Sequence, residues 1–195
     1  MQTVERLLVD VSNAWELETR PTLKIIGCSA LLLRTNYDRG TKDSDVLQTA
    51  SLDRASREHL LALSGQGTPL AKRWGVYVEI VESGLPFLPH VPKWHPVTIE
   101  GMRDAFTVEA LDVVDVVVSK LKRFHANDRA DVEAMIERGL VAHDVLIARF
   151  RDAVDMFAAT AYADDLPKYV RNLHQVESDM FVVAETDIEL PSWVD

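Results

Sequence analysis

Two aspartates separated by a single residue, Asp43 and Asp45 in "DSD", have the clearest chemical potential in this sequence. On a strand, residues i and i+2 face the same way, with Cα atoms roughly 6–7 Å apart. Carboxylates so placed can hold one or two Mg2+ ions as hard oxygen ligands, and two ions about 3.5–4 Å apart clamp an in-line phosphoryl displacement. Upstream, "GCS" at 27–29 ends an apolar run. Gly27 there lets backbone approach a ligand closely, the helix start behind it offers free N–H groups to an anion, and Ser29 adds a hydroxyl for a phosphate.

Glu79 interrupts an otherwise apolar strand pattern, "VYVEIV", and becomes a third carboxylate if that strand lies beside the Asp43–Asp45 strand. Further on, "SKLKRFHANDRADVEAMI" puts Lys120 and Arg123 on one helix face and Asp128 and Asp131 on another. Such a Lys–Arg face suits a triphosphate, with Asp131 orienting one cation. Each pattern also has a plainer reading: a tight turn capped by Ser29, a solvated acidic loop, routine strand alternation, and the charged faces of a helical hairpin. No Walker loop, dinucleotide fingerprint or zinc pattern is present.

These residues need elements to position them. Val4, Leu7, Leu8, Val11 and Trp15 space a helical face over residues 3–18. "TLKIIG" reads as a strand ending at Gly27, "CSALLLRTNY" as a buried helix, "DSDVLQ" as a strand, 52–64 as a helix stopped by Gly65, and "VYVEIVES" as a strand. The proline-rich "GLPFLPHVPKWHP" must be extended or looped, and "VTIEG" with "AFTVEAL" is expected to form a hairpin pair or two edge strands. Residues 112–125 are valine-rich, which favours strand. Their apolar spacing through Val114, Val117, Val118, Leu121 and Phe124 favours helix. Helices are expected over 128–138, capped by Asn127 or Asp128, and through most of 141–195, with an acidic, loose tail "ETDIELPSWVD". The expected architecture is α+β: a small mixed sheet flanked by helices over residues 1–110 and a helical C-terminal region over 111–195 packed on that core.

Composition sets the outer bounds. Of 195 residues, 47% are hydrophobic and 27% charged, so a core can form without disulfides, and the single Cys28 cannot make one internally. With 21 basic against 31 acidic residues the formal charge is −10, which disfavours non-specific nucleic-acid binding. The N-terminus is a poor signal peptide, and no apolar run approaches the length of a membrane span. The expectation is a cytoplasmic protein without membrane contact.

Taken together and in order, the motifs resemble the nucleotidyltransferase superfamily with a polymerase-β-like core. Its pattern is an apolar strand, Gly-Gly or Gly-Ser, a helix, then Asp-x-Asp on the next strand; here this is "IIGCSALLLRTNYDRGTKDSDVL". The chain is most similar to the bacterial subgroup that includes abortive-infection nucleotidyltransferase toxins and uncharacterised relatives, in the Gly27–Leu31 turn, the Arg39–Asp45 approach and "DVVDVVVSKLKRFHANDRADVEAMI". Cys28 stands at the second Gly/Ser position, and Ser44 replaces an apolar residue. The resemblance spans about residues 20–140. It implies that Gly27 and Ser29 cradle nucleotide phosphates and that Asp43 and Asp45, with Glu79 as third carboxylate, bind Mg2+. It further implies that Lys120 contacts phosphates and Asp131 supports the lysine helix, with Arg123 and Asp128 as accessory residues. The implied activity is transfer of NMP from an NTP to a hydroxyl on RNA, protein or a small molecule. The alternative is a catalytically degenerate relative that binds nucleotide or a protein partner in a toxin–antitoxin-type system.

Overall fold

The computed structural model describes residues 2–35, 37–190 and 193. Asn36 of the expected "NYDRG" loop, and residues 191, 192, 194 and 195 of the expected loose tail, lie outside the described residues. The chain divides into two compact units: residues 1–85 with 94–112, and residues 86–93 with 113–195.

The first unit holds the sheet. Its strands are β1 (Thr22–Ile25), β2 (Asp43–Leu47), β3 (Tyr77–Val81), β4 (Trp94–Pro96) and β5 (Thr107–Leu111), arranged β3-β2-β1-β5-β4. β1 runs antiparallel to β2 and parallel to β5; β2 and β3 are parallel, and β4 is antiparallel to β5. Helices α1 (Thr3–Asn13), α2 (Gly27–Arg34), α3 (Arg54–Ser64) and α4 (Pro69–Trp74) belong to this unit. The helical spacing of α1 puts Val4, Leu7, Leu8 and Val11 in the core, each contributing about 1.5–3 kcal/mol by leaving water. Leu23, Ile25, Val46, Val78, Val108 and Ala110 point to one buried sheet face, and α2 packs on β2 and β5. The opposite face carries Lys24, Asp43, Asp45, Tyr77, Glu79 and Glu109, together with Leu47, Val81 and Leu111.

Helix α4 was not anticipated, although its signals are present: Thr68 caps it by accepting from the Ala71 amide, Pro69 opens it, and Gly75 closes it at φ 66°. The expected strand at "VTIEG" is a turn instead, with Gly101 at φ 81° and the Met102 amide bonded to the Ile99 carbonyl. The partner of β5 is β4, from the end of the proline-rich segment.

The second unit contains α5 (Val113–Lys120), α6 (Ala126–Glu137), α7 (His143–Ala158) and α8 (Leu166–Val176). In α5 helical spacing overrides the valines' strand propensity, because residues 113 to 118 are all buried. Phe87 from the 86–93 segment is fully buried, with ring centroids 5.3 Å from Phe150, 5.0 Å from Phe157 and 5.0 Å from Tyr169. Asp115, also fully buried, accepts from the Arg149 guanidinium at 2.7 and 2.6 Å and from the Lys93 amide at 2.8 Å. A π-helical turn, Glu177–Phe181, follows α8. The architecture is α+β with a five-stranded mixed sheet, and no described helix is long and apolar enough to cross a membrane.

Candidate functional site

The site starts from a turn that favours glycine. Gly27 has φ +64°, and a Cβ placed there would stand 2.7 Å from Asp45 Oδ2. The preceding Ile26 amide donates to the Asp45 carbonyl at 2.9 Å. The β1–α2 turn is thus closed against Asp45 through both main chain and carboxylate, and a bare Cα is what leaves room.

Parallel register then assembles the acids. Asp43 pairs with Tyr77 and Asp45 with Glu79 across β2 and β3, so all four side chains share one face. Asp43, Asp45 and Glu79 each offer a carboxylate oxygen, and these oxygens lie within 4.8 Å of one another. Asp43 and Asp45 are half-buried and Glu79 is exposed. The Thr41 hydroxyl donates to the Asp43 carbonyl at 3.0 Å and to its Oδ1 at 3.1 Å, fixing the first acid. Three hard, anionic oxygens converging at this spacing fit a Mg2+-type cation and suit softer metals poorly. Burial, together with the charges of Asp43, Glu79 and Asp45, raises the Tyr77 phenol above its ordinary value, so Tyr77 remains a neutral hydroxyl beside the acids.

Other residues singled out from the sequence occupy different places. Ser29 is buried, and its hydroxyl donates to the Asp43 carbonyl at 3.2 Å. It ties α2 to β2. Lys120, in the second unit, is 7% exposed and stands 3.2 Å from Asp128 Oδ1 and 2.7 Å from Asp131 Oδ2. Its charge is thereby matched by two buried carboxylates, and a phosphate would have to compete with both. Asp128 also accepts from the His125 amide at 3.3 Å, so the cap of α6 is His125 rather than Asn127 or Asp128. Arg123 lies mostly in solvent, 3.5 Å from Asp128.

The family described as "Nucleotidyltransferase of unknown function (DUF6036)" matches residues 4–180. The chain belongs to that family. No curated protein and no solved structure matches it. Within this nucleotidyltransferase family member, the turn at Gly27 and the Asp43–Asp45 pair stand together in the first unit, with Glu79 alongside. The sequence did not single out Tyr77 or Thr41 as site residues. The alternation of "VYVEIV" already put Tyr77 on the face of Glu79, whereas nothing local marked Thr41 as the partner of Asp43.

Proposed function

We propose that this protein is a Mg2+-dependent nucleotidyltransferase that moves NMP from an NTP to a hydroxyl acceptor. One observation carries the reading: the oxygens of Asp43, Asp45 and Glu79 converge within 4.8 Å on a sheet face beside the Gly27 turn. Asp43 and Asp45 would hold the divalent cation, with Glu79 completing the set. When bound, the cation would neutralise charge developing on the transferred phosphoryl group. The start of α2, whose first N–H groups lack intrahelical partners, would receive phosphate oxygens. The acceptor oxygen would bond to the α-phosphorus as the bond to the bridging oxygen breaks and pyrophosphate leaves, and Glu79 would take the hydroxyl proton. Within the second unit, Lys120 joins α5 to α6 through Asp128 and Asp131.

The binding-only alternative, including a toxin–antitoxin component, rests on Cys28 at the second Gly/Ser position of the turn and on a third carboxylate that the sequence does not place. The position of Glu79 beside both aspartates favours turnover. The test is calorimetric titration of ATP, GTP, CTP and UTP in Mg2+, followed by incubation of α-labelled NTP with RNA, protein and small-molecule acceptors. Mg2+-dependent binding and label transfer, both lost in Asp43→Asn/Asp45→Asn, are expected. Binding without transfer to any acceptor would favour the degenerate alternative, and absence of NTP binding would overturn the reading.

A further inference from the structure

Where the chain leads into β2 and β3, the first unit holds a cavity of about 580 Å3, within the size range of small-molecule sites. Arg6 of α1, Asp38 and Arg39 of the loop before β2, and Trp74 at the end of α4 line it. Two guanidiniums against one carboxylate give this lining a positive balance in a chain of formal charge −10. The Arg6 guanidinium carbon lies 5.6 Å from the Trp74 ring centroid, a cation–π distance. Among the described residues, no hydrogen bond or ion pair engages that guanidinium. The indole beneath it is fixed in turn, because Trp74 Nε1 donates to Asp10 Oδ2 at 2.9 Å.

Thr41 joins this cavity to the acids. It belongs to the lining, and its hydroxyl donates to Asp43 Oδ1 at 3.1 Å. Val76, also in the lining, precedes Tyr77, which stands opposite Asp43 on β3. The two aspartates are therefore bordered differently, Asp45 by the Gly27 turn and Asp43 by the cavity wall.

We propose that this cavity receives the hydroxyl acceptor, and that the acceptor is a small molecule carrying a phosphate, which Arg6 binds. This rests on the nucleotidyltransferase reading of the acids. In an in-line displacement the attacking and leaving oxygens lie on opposite sides of phosphorus. With the NTP phosphates at the Gly27 turn beside Asp45, the acceptor comes from the side of Asp43. A guanidinium laid on an indole keeps its N–H edge for a pair of oxygens and loses little freedom on binding them. Two guanidiniums in one lining match a phosphate dianion better than a single carboxylate, and the negative charge of the chain disfavours RNA as the acceptor.

The test titrates the full chain by calorimetry with ribose 5-phosphate, ribose and glucuronate, in EDTA so that no divalent cation bridges phosphate to the acids. Wild type is expected to bind ribose 5-phosphate and neither of the others. Arg6→Ala should weaken that binding about tenfold to a hundredfold, Arg6→Lys should recover part of it, and Asp43→Asn/Asp45→Asn should retain it; urea midpoints verify folding of each variant. In the label-transfer assay, Arg6→Ala should raise the acceptor concentration that gives half-maximal transfer and leave Mg2+-dependent NTP affinity unchanged. Absence of ribose 5-phosphate binding, equal binding by Arg6→Ala, or equally tight glucuronate binding would overturn the proposal while leaving NTP binding at the acids intact. Transfer to an RNA oligonucleotide that Arg6→Ala does not impair would overturn it too. If wild type binds no NTP in Mg2+, the reading of the acids fails and the acceptor role fails with it, whatever binds at Arg6.

Discussion

Gly27 shows how one residue couples backbone strain to a carboxylate cluster. Its φ of +64° rejects a side chain, and so does the 2.7 Å that would separate a Cβ from Asp45 Oδ2. Gly27→Ala should therefore destabilise the first unit by about 1–3 kcal/mol from left-handed strain. It should also push the Asp45 carboxylate away from Asp43 and Glu79, weakening Mn2+ binding. Urea unfolding and Mn2+ titration check the two effects separately; a destabilised variant with unaltered Mn2+ affinity would show that Asp45 does not depend on the bare turn. The glycine and the two aspartates were legible in the sequence because a turn before a helix and an i, i+2 pair are local patterns. The reason for glycine was not legible, since it lies in a carboxylate on another strand. The hydrogen bond of Ser29 was not legible for the same cause: its partner, the Asp43 carbonyl, is brought to it by the pairing of β1 with β2.

Elements carry their own consequences. The α5–α6 connection is held by a buried ion cluster, in which Lys120 is 7% exposed and the Asp128 and Asp131 side chains 5% and 0%. Removing one partner leaves uncompensated buried charge, so Lys120→Met should cost about 3–5 kcal/mol in urea unfolding of the second unit. Adding Asp128→Asn and Asp131→Asn should restore much of that loss. An unstable single variant with no recovery in the triple variant would argue that packing of the lysine stem is what matters. After α8, the fully buried Glu177 accepts from His143 Nε2 at 2.8 Å and from the Thr186 amide at 3.0 Å, and also from the Thr186 hydroxyl. Burial alone would raise its carboxyl, but the Thr186 bonds and His143 outweigh burial and hold it below the ordinary 4.5. A carboxyl depressed in the folded state contributes stability that is fully present above its ordinary value and is lost as pH falls through the folded one. Glu177→Gln should thus cost about 1–3 kcal/mol at pH 7, with the difference from wild type shrinking below about pH 4.5. A gap independent of pH would assign the effect to shape rather than charge. Elements with strong periods, such as α1 and β3, were legible, whereas α5 stood between strand propensity and helical spacing. The three-residue β4 was not legible, because a strand that short among prolines acquires its identity from β5 alone.

Across the whole chain, net charge and the local acid cluster make separable demands. The formal charge is −10, so any salt should stabilise the protein by screening its self-repulsion. The cluster of Asp43, Asp45 and Glu79 adds a local like-charge penalty that a coordinating cation removes and a monovalent ion does not. At free Mg2+ near a hundred times its dissociation constant, binding to the folded state contributes about 2.7 kcal/mol. For a chain of 195 residues this corresponds to roughly 5–10 °C in Tm for the transition containing the first unit. NaCl at matched ionic strength should deliver only the screening part. Asp43→Asn/Asp45→Asn should differ from wild type in both conditions: a higher Tm without Mg2+, because the repulsion is gone, and no increment beyond NaCl when Mg2+ is added. Differential scanning calorimetry of both proteins in both salts checks this. Equal increments from Mg2+ and NaCl in wild type would reduce the cluster to surface charge, and the fold would then position three carboxylates that hold no metal.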